Sequence, residues 1–121
     1  MTRVWLAVAA IGGFLSVAAG AAAAHLTAGD ARAGELLRTG ALYGMIHAAA
    51  LIGVAAMAER RPNLPIAVAG WGFAIGIPMF SLSLFALALT GIARFGLVTP
   101  FGGGAFLIGW AALGLSAVRR K

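Results

Sequence analysis

The chain has 121 residues, of which 62% are hydrophobic and only 10% charged, with no cysteine and a formal net charge of +6. Soluble domains carry about 25% charged residues, so an ordinary soluble domain is excluded. The missing cysteine excludes disulfides, a thiolate nucleophile and Cys-ligated metal.

Four apolar stretches fill nearly the whole chain, at residues 4–24, 41–58, 66–90 and 101–118. Crossing a hydrocarbon core of ~30 Å takes about 20 apolar residues as helix. The reading is an all-α membrane protein, with four transmembrane helices in a compact bundle and residues 1–121 forming a single domain. The basic residues fall at chain ends and in loops, where they set orientation and meet anionic lipid rather than nucleic acid.

The first stretch follows Arg3 and ends in the alanines 21–24, a pattern that also fits a secretory signal. Its length exceeds the ~7–15 residues of a signal's apolar core, which favours an uncleaved helix. Gly12, Ser16, Gly20 and Ala24 recur at four-residue spacing and make a smooth face for a neighbouring backbone. Trp5 is expected at the interface with the headgroups, and His25 is expected to cap the terminal carbonyls.

Between the first two spans, Thr27 and Asp30 have the form of a capping box. Helix two is therefore expected to start near Ala28, outside the membrane, and to run to about Glu59. Gly40, Gly44 and Ala48 repeat the small-residue spacing, and Glu35, Thr39, Tyr43 and His47 form a polar stripe. Tyr43 should lie at headgroup level and His47 some ~8–12 Å deeper at 1.5 Å per residue. An ionisable group at that depth has three readings: a structural hydrogen bond, a proton or solute site, or a ligand to metal or haem. Haem ligation by His25 and His47 would need both at similar depth, and they are offset.

Pro62 and Pro65 bracket the turn into span three, where Trp71 should lie at the interface and Gly72 and Gly76 again offer close approach. Pro78 should kink this helix. Ser81 and Ser83 point to roughly opposite sides, so they cannot address one small site. One of them is expected to satisfy the carbonyl that Pro78 leaves free. In span four, Gly102, Gly103 and Gly104 follow Thr99 and Pro100, and Trp110 falls mid-helix as a packing residue. Bundle packing is the simplest use of the small-residue faces; a dedicated oligomer interface is the alternative.

Lys/Arg counts orient the chain. Arg3, Arg60, Arg61, Arg119, Arg120 and Lys121 share one side, against Arg32, Arg38 and Arg94 on the other. Six against three places both termini in the cytoplasm, for a multi-pass protein of the cell inner membrane. None of the four apolar stretches contains Asp, Glu, Lys or Arg, and no nucleotide loop, metalloprotease helix or nucleophile elbow is present. An enzyme is not expected, nor a bound cofactor or metal.

The motifs Gly20-Ala21-Ala22-Ala23-Ala24-His25, Tyr43-Gly44-Met45-Ile46-His47, Gly70-Trp71, Phe80-Ser81-Leu82-Ser83-Leu84 and Thr99-Pro100-Phe101-Gly102-Gly103, with Gly109-Trp110, come in an order that resembles the family called domain of unknown function 423. That family includes the transmembrane protein 256 group. The resemblance implies four membrane helices and no established activity. It marks His25, Tyr43, His47, Ser81, Ser83, Thr99, Pro100, Gly102, Gly103 and Trp110 as matching positions. The chain departs from the family pattern at Leu82 (usually Gly), Phe85 (usually Tyr) and Ala23 (commonly Gly).

The functional expectation is a structural or accessory subunit of a larger membrane assembly, in contact with lipid and with another membrane protein or a second copy of itself. The alternative is a channel or transporter for a small neutral solute or protons. Tyr43, His47, His25, Ser81 and Ser83 would form its polar site, and Gly12, Ser16, Gly20, Gly40, Gly44, Gly72 and Gly76 the packing faces.

Overall fold

A computed structural model describes residues 1–119. Arg120 and Lys121, counted above toward the cytoplasmic side, lie outside the described residues. Four helices among the described residues are long and apolar enough to cross a membrane. They are α1 (Thr2–His25), α2 (Ala31–Arg60), a third span Leu64–Thr90, and a fourth that includes α5 (Thr99–Val118). The third span is built from α3 (Leu64–Gly76), a π-helical turn (Ile77–Leu82) and α4 (Ser83–Thr90). A short 3₁₀ turn, Ala93–Leu97, leads into α5. The chain is a multi-pass membrane protein.

Local chemistry sets the helix ends. Asp30 itself is the N-cap of α2, accepting from the Ala33 N–H at 3.0 Å. This corrects the expected start near Ala28. Thr27 closes α1 instead, donating its hydroxyl to the Ala23 carbonyl at 2.7 Å, and Gly29 at φ 85° makes the bend between the helices. Thr27, not the exposed His25, therefore takes the late carbonyl of α1. Asn63 caps α3, accepting from the Ile66 N–H at 2.9 Å, with Pro65 in the first turn where its missing N–H costs nothing. Gly91, at φ 69°, ends α4 in a left-handed cap. At Pro78 the helix widens into the π turn, a common way to absorb a backbone donor that is absent.

α1 packs chiefly along α2, and α3 chiefly along α5. The buried residues of α1 are Trp5, Ala9, Gly12, Ser16, Ala19 and Ala23, at alternating steps of four and three. α2 answers with Gly34, Leu37, Ala41, Gly44, Ala48, Leu51, Ala55 and Ala58 on the same alternation. A mean step of 3.5 residues keeps one stripe on a left-handed partner. A strict four-residue row instead drifts by about 40° per step. Gly20 and Ala24 have drifted off the seam: Gly20 has no neighbour within 4 Å of where a Cβ would stand, and Ala24 is exposed. Gly20 is thus not a packing glycine in this bundle.

Trp5 is also not the interfacial residue expected of it. Its ring is fully buried over Gly70, where any side chain would collide with the indole, and it meets Trp71 edge-on at 5.9 Å. Phe14, Val17, Leu89, Phe101 and Leu107 turn outward toward lipid.

Candidate functional site

His47 lies near the middle of α2, about 20 Å from either helix end at 1.5 Å per residue. Only 4% of its surface is exposed. Its Nδ1–H donates to the Tyr43 carbonyl one turn earlier, at 2.6 Å. Its Nε2 accepts from the Trp110 indole N–H of α5, at 3.0 Å. Those two bonds fix the tautomer, because Nε2 can accept only if the proton is on Nδ1. The ring is a neutral imidazole with both nitrogens engaged.

Aromatic rings close around it. Phe106 stacks on the imidazole with centroids 3.5 Å apart and planes 9° from parallel. Phe73 presents to it at 5.5 Å and 63°, and packs on Trp110 at 4.9 Å. Phe80 meets both Phe106 and Tyr43. Glycine makes the room: a Cβ at Gly76 would strike the Phe106 ring, and one at Gly109 would stand 2.6 Å from Phe73. Tyr43 lies at the rim, 42% exposed, its ring 6.1 Å from His47 and nearly parallel to it.

The other polar residues lie elsewhere. His25 is exposed at the end of α1. His47 is level with Gly13, since a Cβ there would sit 4.0 Å from Ala48; twelve residues of α1, about 18 Å, separate that level from His25. The two histidines do not form a ligand pair. Ser81 turns toward α1 and α2, where its Oγ and that of Ser16 flank Gly44; both are buried and neither has a hydrogen-bond partner. Ser83 turns the other way and joins the third span to α5 through the Thr99 hydroxyl, at 2.6 Å. It donates to the carbonyls of Met79 and Phe80, at 2.7 and 2.9 Å, inside the π turn. Neither serine takes a carbonyl ahead of Pro78: Ser83 bonds those of Met79 and Phe80, and the Ser81 hydroxyl bonds none.

Among the described residues, no three His, Cys, Asp or Glu side chains group as a metal site. The arrangement locks α2, α3 and α5 together. Proton transfer or ligation by His47 would require breaking the Trp110 bond in a place lined by Phe rings. Phe73, Phe106 and Thr99 as partners, and Trp110 as a donor, are the contributions that sequence reasoning missed. One signal was available: Phe106 and Trp110 lie four apart on one face of α5, and an indole N–H deep in a membrane needs an acceptor.

Comparison with known proteins comes down to one family. Residues 19–103 match the family described as "Protein of unknown function (DUF423)". The chain is 38% identical over 122 residues to the UPF0382 inner membrane protein YgdD of Escherichia coli K12, covering 99% of this chain and 93% of that protein. It is 36% identical over 120 residues to the UPF0382 membrane protein YwdK of Bacillus subtilis, covering 97% and 98%. A UPF0382 membrane protein of Haemophilus influenzae is 37% identical over 124 residues, covering 100% and 98%. No solved structure matches.

Proposed function

Since the chain belongs to the DUF423 family of inner-membrane proteins, we propose that it serves as a non-catalytic accessory subunit, docking onto another membrane protein. The observation that carries this reading is the sealed state of His47: the one ionisable side chain at mid-bundle has both nitrogens engaged by protein. A residue used this way stabilises a bundle and offers nothing to a passing solute. His47, Ser83 and Thr99 are engaged in holding helices together, which supports a working surface on the outside.

The outside of α2 supports the docking half of the reading. Ala49, Gly53 and Ala56 are exposed on one side of the helix, and nothing lies within 4 Å of where a Gly53 Cβ would stand. In lipid, helices associate through close backbone approach, so an open small-residue face suits an incoming helix.

The test is affinity purification of a tagged chain from native membranes in mild detergent, followed by mass spectrometry. One stoichiometric membrane partner is expected, lost in Gly53→Leu and retained in Trp110→Phe, which removes the internal bond to His47 and leaves the open face of α2 unchanged. Recovery of the wild-type chain as a lone monomer would overturn the reading.

A further inference from the structure

At the end of the bundle where α1 begins, α2 and α5 finish and α3 begins. A cleft of about 560 Å³ opens between them. Its polar wall carries three guanidinium groups, from Arg60, Arg61 and Arg119, and no carboxylate is among the described residues that line it. Its other wall is apolar, made by Met57, Leu64 and Ile66. Leu64 is 75% exposed, so this wall runs out onto the surface that faces lipid. Of the other polar side chains in the lining, Asn63 accepts from the Ile66 N–H through its amide oxygen, and the Ser116 hydroxyl donates to the Leu113 carbonyl. The arginines supply the charged donors, and the Asn63 amide nitrogen adds a neutral one beside them.

We propose that this cleft is a binding site for an anionic glycerophospholipid, the three arginines holding its phosphate headgroup and the Met57–Leu64–Ile66 wall taking the start of an acyl chain. Charge and position both argue for it. Guanidinium groups pair with phosphate oxygens through forked N–H donors. Basic pockets between membrane helices at headgroup level are where acidic lipids bind. A soluble phosphate would use the arginines and leave the apolar wall without a role, whereas a lipid uses both walls.

The experiment is native mass spectrometry of the purified chain in detergent with equimolar phosphatidylglycerol and phosphatidylcholine. Wild type is expected to retain phosphatidylglycerol about tenfold better, since each arginine near an anionic headgroup contributes several-fold. Arg60→Gln/Arg61→Gln/Arg119→Gln should abolish the preference, and Arg61→Gln or Arg119→Gln alone should lower it, so the result does not hang on the triple variant. Arg32→Gln/Arg38→Gln/Arg94→Gln, at the opposite end, should leave it intact. Equal retention of the two lipids by wild type overturns the proposal, as does equal loss of preference in both triple variants. Displacement of the lipid by millimolar inorganic phosphate would assign the arginines to a soluble anion and overturn it too.

Discussion

Along the α1–α2 seam the contacts are made by alanine, glycine, serine and leucine at alternating steps of four and three. Along the α3–α5 seam the contacts are aromatic rings lying in notches left by glycine: Phe106 at Gly76 and Phe73 at Gly109, with Gly102 set directly against the main chain of Met79 and Phe80. At the first seam the buried Ser16 hydroxyl has no partner, and the Ser81 hydroxyl of the π turn, also without one, reaches Gly44 beside it. The second is tied by Ser83–Thr99 across its helices, and α5 is tied to α2 by Trp110–His47. In lipid there is little hydrophobic force between helices, so fit decides association. A seam of small side chains tolerates small adjustments along its length. A seam of rings in notches concentrates its fit at a few points, and each point becomes indispensable.

The largest effect should therefore come from a single methyl on the second seam. A Cβ at Gly102 would stand 2.7 Å from the Met79 carbonyl carbon and 2.8 Å from the Phe80 Cα. Main chain cannot rotate away as a side chain does, so α5 must separate from the π turn. Gly102→Ala is expected to cost about 3 kcal/mol, the upper part of the overpacking range. Unfolding in mixed micelles, followed by far-ultraviolet circular dichroism, measures it. A loss well below 1 kcal/mol would mean that the second seam slides freely, and the contrast between the seams would fall.

A methyl on the first seam should cost less and be repairable. A Cβ at Gly44 would collide with Ser16 Oγ and stand 2.9 Å from Ser81 Oγ. Gly44→Ala is expected to cost about 2 kcal/mol. Because the worst clash is with a side chain, Ser16→Gly in the same chain should return about 1 kcal/mol, a coupling that neighbouring sites commonly show. The same unfolding assay on the two single variants and the double variant measures that coupling, and strict additivity would show that the clash is relieved some other way.

How much of this could be read from the sequence depends on whether the signal was periodic or pairwise. Four apolar runs of near-spanning length, broken by Pro62 and the Thr99-Pro100 step, made the helix count legible. So were Gly12, Ser16 and Gly44 as seam residues, Gly40 as a close-approach point (against Phe85 of the third span), and Ser81 and Ser83 as facing apart. Trp5 was misread as interfacial, and Trp110 was read correctly as a packing residue but without its bond to His47, for one reason: a tryptophan's environment is set by the residue opposite it. Gly70 and His47 lie 65 and 63 positions away from them in the chain. The π turn left no mark beyond Pro78, which equally fits a plain kink. His47 was identifiable as a polar group inside the bundle, but not its partner on α5, since no periodic signal places Trp110 opposite it.

The smallest effect tests the choice between a four-residue row and a 3.5-residue seam on α1. Gly20 belongs to the row Gly12–Ser16–Gly20–Ala24 but not to the buried set, which steps from Ser16 to Ala19 and Ala23. A methyl there meets nothing within 4 Å. Alanine is the better helix former by about 0.8–1.0 kcal/mol, so Gly20→Ala should leave the bundle as stable as before or raise its stability by up to about 1 kcal/mol. The same assay that registers Gly102→Ala as a large loss should register this change as none. A loss of about 1 kcal/mol or more would mean that α1 packs along its four-residue row, through Gly20 and Ala24 rather than Ala19 and Ala23.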